Sequence, residues 1–363
     1  MSIEIKVIEK DDINELKRLF DKTPILAPHN PFRNGSIDEF RWQFFSDDYQ
    51  SSIYIIAYDS ESDELAGTLS ALFIPIKSPD GQVYKSIKIE DALINKASTK
   101  DINRDILKEL LDTIVTKTRS QNIKFLWCFT YAVKSFNRLG FTNSLSSKQG
   151  TYIIKPLAAF RHLTSLNTSN GTKQKIQIGG LTMMSFLKQL LFHKNPTGPT
   201  CKEIKLNDID EDILLSFLPD QLYSLHLNNH FLNWRIAKNP SLLTYTILQI
   251  KDRSDRIIAY FIYSQKEGNV FFIEQFLFDR NLSMESKTEI IQLALQHLKN
   301  QDAVIVRAMG FDHNNANKDE INLLSKTGFV FIDRGIPFNF KSLDKNISPE
   351  SIYLSRLNTE GTF

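Results

Sequence analysis

The chain has 363 residues, room for two domains of ordinary size, and its 42% apolar and 24% charged residues are those of a soluble globular protein without an apolar run long enough to span a membrane. Lys and Arg (44) nearly balance Asp and Glu (42), which argues against a general nucleic-acid surface. The two cysteines, Cys128 and Cys201, fall in different halves and make neither a metal motif nor a disulfide framework.

The start, MSIEIKVIEKDD, alternates like a strand and lacks the basic end and apolar run of a secretory signal, so a cytoplasmic location is expected. Two helices follow. Ser36 ahead of IDEFRW, with Glu39 three positions on, is a capping-box signature for the second of them, whose Trp42 and Phe residues read as core anchors. After a long antiparallel hairpin, the stretch KSIKIEDALINKASTKDINRDILKELLDTIV (85–115) reads as a strand, a polar turn and an amphipathic helix. Many nucleotide-cofactor sites begin this way. Yet the turn has no glycine, the residue that lets backbone N–H groups approach a pyrophosphate at a helix N-terminus. An apolar strand, IKFLWCF, then places Cys128 as a buried structural thiol, and a short helix ends in Gly140-Phe141. From Thr164 to Gly180 the Ser/Thr/Asn/Gly-rich TSLNTSNGTKQKIQIGG reads as the end of one domain and a connector, followed by a short apolar helix, FLKQLLF. The boundaries so drawn are a first domain at 1–163, a linker at 164–200 and a second domain at 201–363.

The same order of elements occurs twice. FRWQFFSDDYQSSIYIIAYDSESDELAGT lies over LNWRIAKNPSLLTYTILQIKDRSDRIIAY, placing Trp42 on Trp234 and Asp63 on Asp255, each pair 192 positions apart. Further on, IKIEDALI around Glu90 lies over FFIEQFLF around Glu274, and FNRLGF over LLSKTGF. Each copy reads as strand, helix, helix, antiparallel strands, strand-turn-helix, strand, helix, strand.

These residues resemble the GNAT superfamily of acyl-CoA-dependent N-acyltransferases: FRWQF before the hairpin, LAGTLSALF, IEDALI with its turn and helix, and the terminal FNRLGF. The Trp helix is similar to that of acyltransferases encoded beside surface-polysaccharide genes. The resemblance implies a mixed α/β protein of the α+β type, with two tandem GNAT-like domains, each a mostly antiparallel twisted sheet flanked by helices. It implies that the strand at Lys88 to Ile94 splays from its neighbour and that its backbone, at Ala92, Leu93 and Ile94, pairs with the pantetheine arm of acetyl-CoA or another acyl-CoA. The following turn and helix start, with Lys100, Asn103 and Arg104, then hold the pyrophosphate. Glu90 and Glu274 become the general-base candidates and Tyr131 a candidate acid, since Phe136 and Leu324 stand where the family's Tyr is expected. The sequence departs from the family at the turn itself: Lys100 to Asp105 lacks both small residues, and Glu285 and Glu289 stand at the corresponding helix entrance of the second copy.

The activity implied is acetyl transfer to a small amine, such as an amino sugar or a peptide. Two alternatives stay open: a non-catalytic tandem scaffold, and Fem-like aminoacyl transfer from charged tRNA. His226 and His230 lack a third metal ligand at a telling distance, and no Gly-x-Ser-x-Gly elbow or Walker loop is present. The terminal SPESIYLSRLNTEGTF resembles the end of polysaccharide-linked tandem acyltransferases, which implies an aromatic strand and a short polar tail that closes a cleft or crosses to the other copy.

Overall fold

A computed structural model describes residues 2–23, 26, 37–46, 52–96, 104–165, 172–192, 198–241, 243–266, 269–344 and 347–359. The first copy runs β1 (Ile3–Ile8), α1 (Ile13–Lys22), α2 (Ile37–Phe44), β2 (Ile53–Asp59), β3 (Glu64–Lys77), β4 (Val83–Ile94), α3 (Ile106–Thr118), β5 (Ile123–Phe129), α4 (Val133–Arg138) and β6 (Thr142–Ile153). Helices α5 (Pro156–Ser165) and α6 (Thr172–Phe192) follow. The second copy runs β7 (Thr200–Ile204), α7 (Glu211–Ser216), a two-residue β8 (Ser224–Leu225), α8 (Asn229–Leu232), β9 (Thr244–Lys251), β10 (Ile257–Lys266), β11 (Val270–Phe278), α9 (Met284–Asn300), β12 (Ile305–Gly310), α10 (Asn315–Lys326) and β13 (Val330–Ser342). Apart from β8, the two copies share one element order, as the repeat predicts. Residues 172–180, read as part of an irregular connector, are instead helical, with Gly179 and Gly180 inside α6. Ser36, the expected cap of α2, lies outside the described residues.

The chain folds into two compact units, and neither is one continuous half. The first takes Met1–Asn143, His230–Ser241 and Phe338–Ser348; the second takes Ser144–Asn229, Leu242–Pro337 and Pro349–Phe363. Within the first unit β1 to β4 form an antiparallel sheet, β5 joins β4 in parallel, and residues 338–342 of β13 pair antiparallel with β5. Within the second, β7, β9, β10 and β11 are antiparallel, β12 joins β11 in parallel and β6 pairs antiparallel with β12. Each sheet is therefore completed by the last strand of the other copy.

One long helix covers each sheet for the reason its sequence gives. Ile106, Leu107, Leu110, Leu111 and Ile114 recur at helical spacing along α3 and are all buried against strand residues such as Ile55, Leu69 and Ile87. In α9 the same role falls to Ile290, Ile291, Ala294, Leu295 and Leu298. Each fully buried Leu or Ile contributes roughly 1.5–3 kcal/mol relative to exposure.

Local conformations repeat where the sequence repeats. Asp63 and Asp255 both take left-handed backbone (φ 63° and 65°) in the hairpin turns, and so do Gly140 and Gly328 (φ 83° and 112°) after α4 and α10. A side chain with a Cβ would be strained at these last two positions, which is why a glycine stands after each helix.

The two tryptophans that the repeat aligns meet each other inside the first unit. Their rings stack at 5.2 Å and 22°; Trp42 Nε1 donates to the Trp234 carbonyl at 2.8 Å and Trp234 Nε1 donates to the Trp42 carbonyl at 3.0 Å. The buried Arg235 guanidinium lies over the Trp42 ring, 5.9 Å from its centroid. Each indole donor is thus satisfied by the other residue's backbone. Trp234→Ala removes a stacked ring and orphans a carbonyl, so chemical denaturation should register a loss of about 3–5 kcal/mol.

Candidate functional site

In the first unit the parallel ladder between β4 and β5 pairs Lys85 with Ile123, Ile87 with Leu126 and Lys88 with Trp127, and then stops. Beyond Lys88 the strand keeps β3 on one side, and no described strand lies along residues 89–94 on the β5 side. A bulge lies in the same segment: Ser70 pairs with Glu90 and Thr68 with Leu93, leaving two residues of β4 opposite one of β3. Asp91, inside the bulge, is left-handed (φ 47°). Bulges of this kind re-aim side chains and end regular pairing. Glu90, Asp91, Ala92, Leu93 and Ile94 are all half-buried.

Glu90 shares a face with Lys88, two residues earlier, and the two form an ion pair of 2.6 Å. The Lys88 ammonium is buried and lies 5.6 Å from the centre of the Trp127 ring. Asp91 turns elsewhere and accepts from the Tyr54 hydroxyl at 3.2 Å. Cys128 is buried; desolvation first, and the nearby Glu90 charge second, push its thiol well above the ordinary value. It is no nucleophile at neutral pH.

Other predicted residues are less engaged with this edge. Tyr131 follows β5 and is 70% exposed. Arg104 is taken up by Glu109, with Nε to Oε1 at 2.9 Å, and by the Ile3 carbonyl at 3.0 Å. Asp105 caps α3, accepting from the Lys108 backbone N–H at 3.2 Å. Lys100 and Asn103 lie outside the described residues.

The second unit repeats the arrangement and closes it. The β11–β12 ladder ends at Ile273 and Ala308, and Glu274 is the extra residue of a bulge between the Ile273–Tyr263 and Gln275–Ile262 pairs. Here, however, Glu274 through Phe278 are all buried. The covering segment is Ile352–Thr359, itself buried, which ends in a 3-10 turn rather than forming the aromatic strand expected from the sequence. Arg356 Nη1 donates to both Glu274 oxygens, at 3.0 and 3.2 Å, and its guanidinium stacks on Phe272 with 4.3 Å to the ring centre. Ser264 Oγ adds a hydrogen bond to the same carboxylate. Glu274 is thus held as the counter-ion of a buried pair.

A second cluster lines a cleft of about 260 Å³ in the second unit, walled by Phe276, Phe278, Met284, Lys287, Leu323 and Tyr353, among others. Tyr353 OH donates to Glu320 and accepts from Gln275 Nε2 at 3.1 Å, while Asn317 Nδ2 donates to Glu320 at 3.2 Å. Desolvation pushes the Glu320 carboxyl up to about 8, against the lowering effect of its two hydrogen bonds. The first turn of α9 beside this cleft is capped by Ser283 Oγ, which accepts from the Ser286 N–H at 3.1 Å. Sequence reasoning missed Glu320, Tyr353 and Arg356, because nothing local marks a terminal segment that turns back over a strand.

These features define the chain as a tandem GNAT fold, two mostly antiparallel sheets flanked by helices with a splayed parallel pair in each. Solved structures agree. A probable N-acyltransferase from Enterococcus faecalis superposes with a TM-score of 0.61 at 10% identity, over 95% of this chain and 73% of that one. The N-myristoyltransferase of Saccharomyces cerevisiae with bound myristoyl-CoA and inhibitors gives 0.56 at 14% identity, over 99% and 86%. A tandem GNAT protein from the clavulanic acid biosynthesis pathway gives 0.55 at 11% identity, over 94% and 98%. No protein-family model matches the sequence. No curated protein matches it either.

Two outcomes follow from the second unit. Arg356→Ala leaves the buried Glu274 charge unpaired and should cost about 3–5 kcal/mol in urea unfolding, whereas the joint change Glu274→Gln with Arg356→Met should recover much of that loss. Glu320 binds its proton more tightly when folded, its carboxyl standing at about 8 against 4.5 for the free group. Its contribution is fully present below the lower value and is lost as pH rises through the higher one. The melting temperature should therefore fall across that window, and Glu320→Gln should flatten the decline.

Proposed function

We propose that the chain is an acyl-CoA-dependent N-acyltransferase, transferring an acetyl or related acyl group to a small amine, with the donor bound along the open edge of β4. One observation carries this reading: no described strand covers residues 89–94 of β4 on the β5 side, while their counterpart in the second unit is covered by the chain's own terminal segment. Of the two matched strand edges, the first is the one that no described strand takes up, and a pantetheine arm, whose amides need backbone donors and acceptors, can pair with it. The yeast neighbour holds myristoyl-CoA, which supports an acyl-CoA as the donor class.

In this reading Ala92, Leu93 and Ile94 line the arm, and Glu90 takes a proton from the attacking amine as it adds to the thioester carbon. The C–S bond then breaks and the thiolate leaves with a proton. Lys88, ion-paired with Glu90, positions it. The pyrophosphate falls to the 100–105 segment, with Lys100, Asn103 and Arg104 as the proposed contacts. Tyr131 is the proposed proton donor to the thiolate.

Isothermal titration with acetyl-CoA and with free CoA tests the donor; micromolar binding is expected. With a responsive amine in hand, Glu90→Gln should lower kcat by about 10²–10⁴ while leaving donor affinity unchanged. Absence of CoA binding by the parent protein would reject the reading in favour of a scaffold, and saturable binding of charged tRNA would move it to aminoacyl transfer.

A further inference from the structure

The two fully buried side chains described in helix α6 are small and polar: Thr182 and Ser185, of which Ser185 Oγ accepts from the Ile153 N–H at 3.0 Å. Outward it presents Ile176, Met183, Met184, Leu187 and Leu191, of which Ile176 is 69% and Leu191 is 78% exposed. Their spacing of 7, 8, 11 and 15 residues from Ile176 places them in one narrow stripe along the helix. A water-facing helix of 21 residues is about 30 Å long, so this is an extended apolar ridge rather than a stray side chain.

Charge on the helix is one-sided. α6 carries Lys173, Lys175 and Lys188 and contains no acid, although the chain as a whole is nearly neutral. Of the cations on preceding elements, Lys155 pairs with Asp302 and Lys148 with Asp312. Arg161 on α5 and Lys175 on α6 are exposed and have no ion-pair partner among the described residues.

We propose that α6 lies flat on an anionic lipid surface, its Ile/Met/Leu stripe entering the interface while the Lys residues of the helix and Arg161 meet lipid phosphates. An apolar stripe on an acid-free, Lys-bearing helix has the two properties such a surface selects. A second copy of the chain fits less well, since a two-fold contact would set cation against cation. A nucleic acid would use the cations but leave the Leu and Met side chains in water. No described helix is long and apolar enough to cross a membrane, so the mode is surface adsorption.

The test is co-sedimentation of the full chain with vesicles of equimolar phosphatidylglycerol and phosphatidylcholine, compared with phosphatidylcholine alone. Expected is binding to the anionic vesicles at least about tenfold stronger, weakening as salt rises. Leu187→Asp with Leu191→Asp, both at exposed positions, should abolish it without changing the melting temperature. Arg161→Glu with Lys175→Glu should reduce only the anionic preference. The proposal falls if the parent protein fails to bind anionic vesicles at low salt or if the double Asp variant binds as well as the parent. It falls equally if sedimentation shows a dimer that the double Asp variant dissolves.

Discussion

A strand that leaves its parallel neighbour halfway along its length creates an obligation, because every backbone N–H and C=O it uncovers needs some other partner. Both copies of this fold incur it within one residue of the same place, after Lys88 in β4 and after Ile273 in β11. In the first unit no described strand takes up the edge. The second covers it with its own terminal segment, and most of what distinguishes the two copies follows from that difference.

Covering the edge buries a carboxylate. Glu274 sits at the position matched to Glu90, but a carboxylate removed from water requires a counter-charge and hydrogen bonds on its remaining lone pairs. Arg356 and Ser264 provide them. Glu90 remains half-buried beside Lys88, its ion-pair partner. One residue type, duplicated, thus sits in a fully buried ion pair in one place and in a half-buried one in the other. The Glu320–Tyr353 contact belongs to the same closure, since Tyr353 joins Gln275 of the covered strand to the wall of the neighbouring cleft.

Much of this was legible in the sequence because it is local. Element order follows from apolar periodicity, and the left-handed turns at Asp63, Asp255, Gly140 and Gly328 follow from which residues tolerate positive φ. The repeat aligns Trp42 with Trp234, but alignment alone does not say that the two rings touch. What stayed hidden depends on chain path. No pattern in SPESIYLSRLNTEGTF tells that Arg356 will reach Glu274, 82 residues earlier. The first part of the helix at 172–192 was obscured by a Gly pair that costs about 1 kcal/mol per residue in a helix interior, a penalty its packing on α5 overcomes. Two copies with the same element order also give no local clue that their last strands are exchanged.

That exchange bears on how the chain is made. β5 receives its outer partner only from residues 338–342, and the contact is aromatic: Phe125 against Phe340, Phe129 against Phe338. During translation about 200 residues must still emerge after β5 before that partner exists, roughly 10 to 40 s at ordinary elongation rates. Throughout that interval the nascent first sheet carries an unpaired edge rich in Phe and Trp, the kind that recruits foreign strands.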